Sequence, residues 1–482
     1  MKLNRFDFPL KDFFVDVFKE KVFLVGGTIR DYLLYGDVDQ LRDIDLIVTG
    51  HSYKEIEKKL KPFGKTNTVG KSFAVVKFSR DGKTFDISVP RKDIKRDENS
   101  HSHKNFVVEY GPHIRLEEDL SRRDFTCNSI AMRLVDNEIV DPFDGIQAVQ
   151  EKNILMTGPE TFFDDPLRIL RCARFASVHR FTVDKAIYLN SKKVRLDELS
   201  AERVVEELFR LLLESEQPSL GLYEFFKLSV LEKLFPELYA LTLTIQDAVF
   251  HPETDEYGHH TVWIHTLLAV DIAKKLSRKF NLSEEETLAL LLAALLHDVG
   301  KAATTRWEFK RGRMTVTSIF HDTKGVAIAE RFLTNLKIET RKHFPLKDVV
   351  LKLVKNHHRI YDLYRNRTHV GFKAISRLVR DLDGREFLLV LLDFADRQSR
   401  VPQPLAFDDL DEISQWLLAQ KQELSINRES IQPLVMGRDL IKIGVEPGKK
   451  MGNYLDKLYE LQLDGAFDTT EEGLKLFTKM KK

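Results

Sequence analysis

The sequence predicts an α+β multidomain chain, with a small mixed sheet near its N-terminal end and helices over most of the remainder. Three observations carry that prediction. Short β-rich runs crowd into residues 1–150, apolar residues recur at three- and four-residue steps after Pro166, and 482 residues make about three domains at roughly 150 residues each. Hydrophobic residues at 43% and charged residues at 31% exclude a disordered or membrane-embedded chain. The longest apolar run, Leu288 to Leu296, is too short to span a bilayer and stops at His297-Asp298, so no membrane partner is expected. Residues Met1 to Asp7 lack the apolar stretch of a secretory signal, and two cysteines, Cys127 and Cys172, suit free thiols in a reducing compartment. The expected location is cytoplasmic.

The elements follow in order. Val22 to Val25 reads as a strand, and Gly26-Gly27 joins it to a helical run from Thr28 to Leu34. Glycines there admit either a phosphate close to backbone N–H groups, with Arg30 one turn in as counter-charge, or a plain tight turn. Asp43-Ile44-Asp45 enters the next strand, where residues i and i+2 share a face, so both carboxylates project together. Such a pair suits Mg²⁺, or else marks a solvated strand end. Ala74–Phe78 and Phe85–Val89 form a hairpin around Asp81-Gly82, which puts Asp86 and Ser88 on a polar face where Asp86 either adds a third carboxylate or stays a surface acid. Asp165-Pro166 starts a helix as cap and first-turn proline, and Arg168, Arg171 and Arg174 then step by three along one side, with Leu167, Ile169, Leu170 and Ala173 left for burial.

Charge is segregated although the totals, 75 basic and 74 acidic, nearly cancel. Residues 168–195 hold eight basic side chains and one acid, and residues 301–400 carry 22 basic against 11 acidic. Residues 201–300 reverse the balance with 8 basic and 17 acidic. A phosphate-binding surface is therefore compatible with a neutral average.

Leu24-Val25-Gly26-Gly27-Thr28-Ile29-Arg30-Asp31 with Asp43-Ile44-Asp45 resembles the head of the class II tRNA nucleotidyltransferases, the CCA-adding enzymes and bacterial poly(A) polymerases of the polymerase-β superfamily. Two further stretches resemble that family in the same order: Arg122-Arg123-Asp124-Phe125-Thr126-Cys127-Asn128, and Asp164-Asp165-Pro166-Leu167-Arg168 continuing to Phe175. The resemblance implies a polymerase-β-like head and Mg²⁺ on Asp43 and Asp45; Asp86, from the hairpin alternation, is the third candidate catalytic carboxylate. It implies nucleotide contacts from Gly26, Gly27, Arg30 and Arg123. It also makes Asp165 and Arg168 an amino-acid template for the incoming base, with Arg171 and Arg174 at nearby nucleotide or phosphate groups. Asp165 accepts only, suiting the exocyclic amine of cytosine or adenine, and Arg168 donates only, suiting ring nitrogen or carbonyl acceptors. The chain departs from the family at Asp164, where Glu is usual.

A second constellation, His265, His297-Asp298 and Asp396, resembles the HD-type metal phosphohydrolases, with His321 and His357 similar to additional histidines of some members. That resemblance implies a divalent metal on His265, His297, Asp298 and Asp396. Asp396 is favoured over Asp393 because Ala395-Asp396 fits an Ala-Asp-x-x-Gly pattern, although Ser399 replaces the glycine. Near the C-terminus, Gly444 to Gly452 resembles the RNA-binding segment of many class II enzymes, where Lys449 and Lys450 follow a Pro-Gly turn.

The expected organisation is a head over 1–150, a helical neck over 151–245, an HD domain over 246–400 and a helical RNA-binding tail over 401–482. The expected activity is template-independent addition and repair of the tRNA 3′-terminal CCA from CTP and ATP. Poly(A) synthesis, partial CC or A addition, and a chiefly HD-based phosphohydrolase are its rivals.

Overall fold

The computed structural model describes residues 7–36, 44–69, 75–95, 106–310, 312–400, 409–424, 426 and 432–480. They form two compact units, 1–234 and 235–482. Asp43 and the linker Val401–Pro404 lie outside the described residues, as does the side chain of Asp164.

The first unit is built on a seven-stranded mixed sheet. Its spatial order is Lys65–Val69, Val75–Arg80, Lys83–Ser88, Asp45–Val48, Val22–Val25, Ala131–Arg133 and Ile139–Val140. Only the contact of Asp45–Val48 with Lys83–Ser88 is parallel. Val22–Val25 is apolar throughout and buried throughout, as a central strand requires. Asp45–Val48 instead presents an exposed Asp followed by three buried apolar residues. The expected hairpin forms: Asp81 and Gly82 both have positive φ, +50° and +74°, the turn that matches strand twist. Lys83–Ser88 alternates as anticipated, with Phe85 and Ile87 buried and Asp86 and Ser88 on the wetter face. The neck helices Leu167–His179, Ala201–Glu214 and Pro218–Lys227 complete this unit.

The second unit is helical. Val262–Lys279, Glu284–Leu296, His321–Asn335, Leu346–Asn356 and Glu386–Gln398 carry its chemistry. Leu288 to Leu296 lies wholly in the core, and Ser283 starts that helix through a reciprocal capping box with Glu286. One element goes beyond the expected all-helical reading: a hairpin of Arg306–Lys310 and Arg313–Thr317. Its apolar residues alternate over only five positions, too few for periodicity to stand out from the surrounding helices. The tail helices Gly437–Lys442, Lys449–Leu463 and Thr470–Met480 share a core of Val435, Leu440, Leu458, Phe467 and Phe477. Lys449 and Lys450 are exposed at the start of the second of these helices.

Candidate functional site

In the first unit, Gly26 ends the central strand with φ +72° and precedes the helix Gly27–Tyr35. A Cβ at Gly26 would lie 2.6 Å from Nη1 of Arg123, so glycine is what admits that guanidinium against the turn. Arg123 also donates to Asp119 Oδ2 at 3.1 Å and to the Asn128 carbonyl at 3.4 Å. Burial pushes the Asp119 carboxyl up, but Arg122 and Arg123 outweigh it and hold it below the usual range. Arg30 is buried one turn into the helix. It donates to Asn128 Oδ1 at 2.6 Å and to Asp31 Oδ1 at 2.9 Å, and lies 4.7 Å above the Phe175 ring.

The carboxylates come together across the parallel strand contact. Asp45 and Asp86 are direct register partners, which sets them side by side at about 4.8 Å strand spacing. Lys77 sits 3.5 Å from Asp86 on its other side. Two carboxylates at one register position on a half-exposed face are a donor set that fits a hard divalent cation.

The helix Leu167–His179 packs beside Arg30 and the segment Arg122–Asp124. Asp165 accepts from the Leu167 amide at 3.1 Å and so caps the helix as expected. Its other oxygen accepts from Arg203 Nη2 at 2.7 Å, a partner that sequence reading did not identify. Arg203 stands on Ala201–Glu214, 38 residues away, and no local pattern ties it to Asp165. Arg168 donates to the Arg122 carbonyl at 2.6 Å, and Arg171 donates through two nitrogens to Asp124 at 2.8 and 2.7 Å. Burial raises the Asp124 carboxyl, yet Arg171 and Arg168 pull it well below the usual range. Arg174, expected at the nucleotide, is 4% exposed and held by Glu207 at 2.7 Å and Glu214 at 3.3 Å, joining two neck helices. Stepping by three aligned the arginines correctly; it could not show that a second helix supplies acids to the last of them.

In the second unit, His265, His297, Asp298 and Asp396 converge although they span 132 residues. His265 Nε2 lies 3.0 Å from Asp396 Oδ1, 3.3 Å from His297 Nε2 and 3.5 Å from Asp298 Oδ2. All four are at most 2% exposed. His321, His357 and His358 line the same space, with His321 Nε2 at 3.3 Å from Asp298 Oδ1 and at 2.9 Å from His358 Nε2. Three imidazoles are oriented alike. His297, His321 and His357 each have Nδ1 within 2.6 to 2.8 Å of a backbone carbonyl three residues earlier, which fixes the tautomer and turns Nε2 inward. His357 Nε2 is buried without a hydrogen-bond partner. A neutral imidazole nitrogen aimed into a cluster of buried carboxylates fits a divalent metal centre.

Cations already balance the acids. Lys301 lies 2.7 Å from Asp298, and Arg400 reaches both oxygens of Asp396 at 2.8 and 2.7 Å. Against burial, these partners hold both carboxyls well below the usual range, and burial pushes His357 well down. Asp393 stands apart, paired with Arg397 at 2.8 Å. Ser399, at the expected glycine, places Oγ 3.0 Å from His265 Nδ1, and Glu253 Oε1 lies 3.2 Å from the same nitrogen. Neither Glu253 nor His251 beside it carried any sequence signal, because the loop that bears them has no periodicity. Gly300 has a steric reason: a Cβ would meet the His321 carbonyl at 1.9 Å.

A mixed-sheet head with paired aspartates, a helical neck and a separate histidine-rich helical domain define the class of tRNA nucleotidyltransferases that carry an HD domain. Family descriptions match in that order: "Poly A polymerase head domain" over residues 22–155, "Probable RNA and SrmB- binding site of polymerase A" over 181–241, and "HD domain" over 262–398. The chain belongs to the family of multifunctional CCA proteins. It is 33% identical over 398 residues to the Multifunctional CCA protein of Stenotrophomonas maltophilia, covering 81% of this chain and 88% of that one. It is 30% identical over 403 residues to that of Xanthomonas campestris, covering 79% and 86%. Among solved structures, the fold is shared with a CCA-adding enzyme in apo form II, at TM-score 0.61, 20% identity and coverage of 99% and 97%. It is also shared with the Thermotoga maritima CCA-adding enzyme complexed with tRNA, at TM-score 0.56, 19% identity and coverage of 99% and 97%.

Proposed function

We propose that this chain adds and repairs the 3′-terminal CCA of tRNA in the cytoplasm, using CTP and ATP and releasing pyrophosphate. The observation that carries the reading is the pairing of Asp45 with Asp86 beside the Gly26-Gly27 turn, in a chain whose relatives are named for CCA. Asp45 and its register partner Asp86, together with Asp43, would hold Mg²⁺. When bound, that ion stabilises charge on the α-phosphate and makes the RNA 3′-hydroxyl easier to deprotonate. The Gly26-Gly27 turn, whose Gly26 amide donates to the Ile130 carbonyl at 3.1 Å, brings the Gly27 amide, Arg30 and Arg123 to the triphosphate. Asp165 accepts from the exocyclic amine of cytosine or adenine, while Arg168 and Arg171 lie along the same helix to donate. Lys449 and Lys450 offer exposed charge to the tRNA backbone.

The test is incubation with tRNA lacking CCA, Mg²⁺, and CTP and ATP singly and together. Three ordered additions support the reading; an unlimited A tail, or C addition alone, replaces it with a rival. A second reading is favoured by the inward-turned histidines: the HD cluster is a metal-dependent phosphohydrolase site working beside the transferase. Phosphate release that depends on added divalent metal and survives loss of Asp45 tests it.

A further inference from the structure

Among the imidazoles of the HD cluster, His265 is held differently from the rest. His297, His321 and His357 are each fixed at Nδ1 by the carbonyl three residues earlier. His265 stands in the first turn of Val262–Lys279, where the carbonyl three residues earlier, that of Val262, accepts from Thr266 Oγ1 at 2.9 Å. Its own Nδ1 meets side chains instead: Glu253 Oε1 at 3.2 Å and Ser399 Oγ at 3.0 Å. The Ser399 hydroxyl donates to the Asp396 carbonyl at 2.7 Å, so both neighbours of Nδ1 present lone pairs to it. A proton on Nδ1 satisfies them and leaves the lone pair of Nε2 among His297, Asp298 and Asp396.

Glu253 lies on the irregular segment between the helices Pro236–Thr242 and Val262–Lys279, yet it is only 5% exposed. A bridge between Ile245 and Thr261 closes that segment at its ends. His260 Nδ1 staples it inside, 2.9 Å from the His251 carbonyl and 3.1 Å from that of Glu253. Besides His265, Glu253 Oε1 accepts from His251 Nδ1 at 2.9 Å and from Gln246 Nε2 at 3.4 Å. Gln246 Oε1 in turn accepts from Lys301, whose ammonium lies on Asp298. The other oxygen, Oε2, is buried without a hydrogen-bond partner. A carboxylate buried in that state costs stability, which points to a role other than packing.

We propose that Glu253 is a positioning residue for His265: it holds the Nδ1 proton, fixes the ring plane and makes Nε2 a stronger donor to the divalent metal of the HD cluster. A carboxylate behind a metal-bound imidazole fixes its tautomer and raises its basicity, and an anion does so more strongly than a neutral carbonyl. His265 is thereby the ligand tuned from outside its own helix, by a loop that also reaches Asp298 through Gln246 and Lys301. This rests on the metal in the phosphohydrolase reading above and is independent of the hydrolysis.

The test titrates the full chain, stripped of metal, with Co²⁺ and follows visible absorption. Co²⁺ bound to imidazole absorbs differently from Co²⁺ on oxygen ligands alone, so the bands report the HD cluster and not the carboxylates of the head. Glu253→Gln keeps the shape and removes the charge, and Co²⁺ affinity should fall about tenfold, with about a hundredfold loss in Glu253→Ala. The bands of the saturated variants should shift as well, and Ser399→Ala should cost less than Glu253→Gln. A bound spectrum that stays the same in both Glu253 variants overturns the proposal whatever the affinity, because a side chain that merely supports the loop would leave it so. A loss confined to Ser399→Ala also overturns it, by assigning the hold on Nδ1 to the hydroxyl. So does a second bound Co²⁺ that Glu253→Ala abolishes, which would put a metal between His251, Glu253 and His265. A wild-type chain that never shows imidazole-bound Co²⁺ fails the metal reading and the proposal with it. One that binds Co²⁺ but releases no phosphate fails the hydrolysis alone, and the role of Glu253 stands.

Discussion

The two candidate sites are assembled on opposite terms. In the head, Arg30, Arg123, Arg168 and Arg171 are positioned by contacts with carboxylates, amides and carbonyls of the protein, Arg30 and Arg123 beside the turn that ends the central strand. In the HD cluster the groups are almost fully buried, and the imidazoles are locked by backbone carbonyls behind them. The first arrangement suits a site that must admit two different nucleotides and a growing RNA end, because each donor can exchange a protein acceptor for a substrate one. The second suits a fixed metal, whose ligands work best when preorganised. One chain thus holds an adaptable polar site and a rigid one, and separate damage to each is the sharpest way to break the comparison.

The largest effects fall on the acids. Asp45→Ala is expected to lower nucleotide incorporation into CCA-lacking tRNA by about a thousandfold or more, with metal-dependent phosphate release unchanged. Asp298→Asn is expected to do the reverse: metal binding, read by calorimetry, falls by about a hundredfold, and incorporation persists. Joint loss of both activities in either variant would mean that the sites are not independent.

Stability effects come next. Arg174→Leu leaves Glu207 buried beside an apolar side chain, so unfolding of the first unit should become easier by about 3–5 kcal/mol. Adding Glu207→Leu should restore most of that, since a matched apolar pair avoids an uncompensated charge. If Arg174 instead served the nucleotide, the single variant would raise KM for CTP and ATP without shifting the unfolding midpoint. A smaller effect is expected from Arg203→Ala. Freed from its 2.7 Å partner, the Asp165 carboxylate loses a fixed plane, and misincorporation of UTP and GTP should rise about tenfold at little cost in stability.

Sequence reading reached the head through residues that are local in both chain and space. The alternation of Phe85, Asp86 and Ile87 and the Asp81-Gly82 turn dictate a hairpin, and Gly26-Gly27 dictates a sharp turn out of a strand. The direct pairing of Asp45 with Asp86 was beyond it, because register between parallel strands is set by what lies between them. The HD motif residues stand out in the sequence, yet the contacts that Glu253, Arg400 and His358 make with them depend on packing between segments far apart in sequence. The pairing of Arg174 with Glu207 was illegible for the same reason: burial by a second helix leaves no trace in the first. The outward-facing hairpin was missed because five-residue alternation is weak, and its exposed face inverts the rule that would have oriented it.

The smallest expected effect separates the neck from the rest by pH. His179 ends the helix Leu167–His179, within 3.2 Å of the Tyr35 hydroxyl and beside the rings of Phe175 and Phe181. Burial, then the nearby Arg30 and Arg174, push its imidazole down to about 3. Folding therefore requires the neutral form, while the unfolded chain takes up a proton near pH 6.5. The contribution of His179 is complete above that pH and is lost progressively as the pH falls toward 3. Between pH 6.5 and 5.5 the loss should be about 1 kcal/mol. Hydrogen exchange of the neck amides should report it as faster opening at the lower pH, and His179→Gln, neutral throughout, should flatten the dependence. A slope unchanged by His179→Gln would place the acid sensitivity elsewhere, in the second unit, where burial holds His251 down to about 4 and the same proton uptake operates.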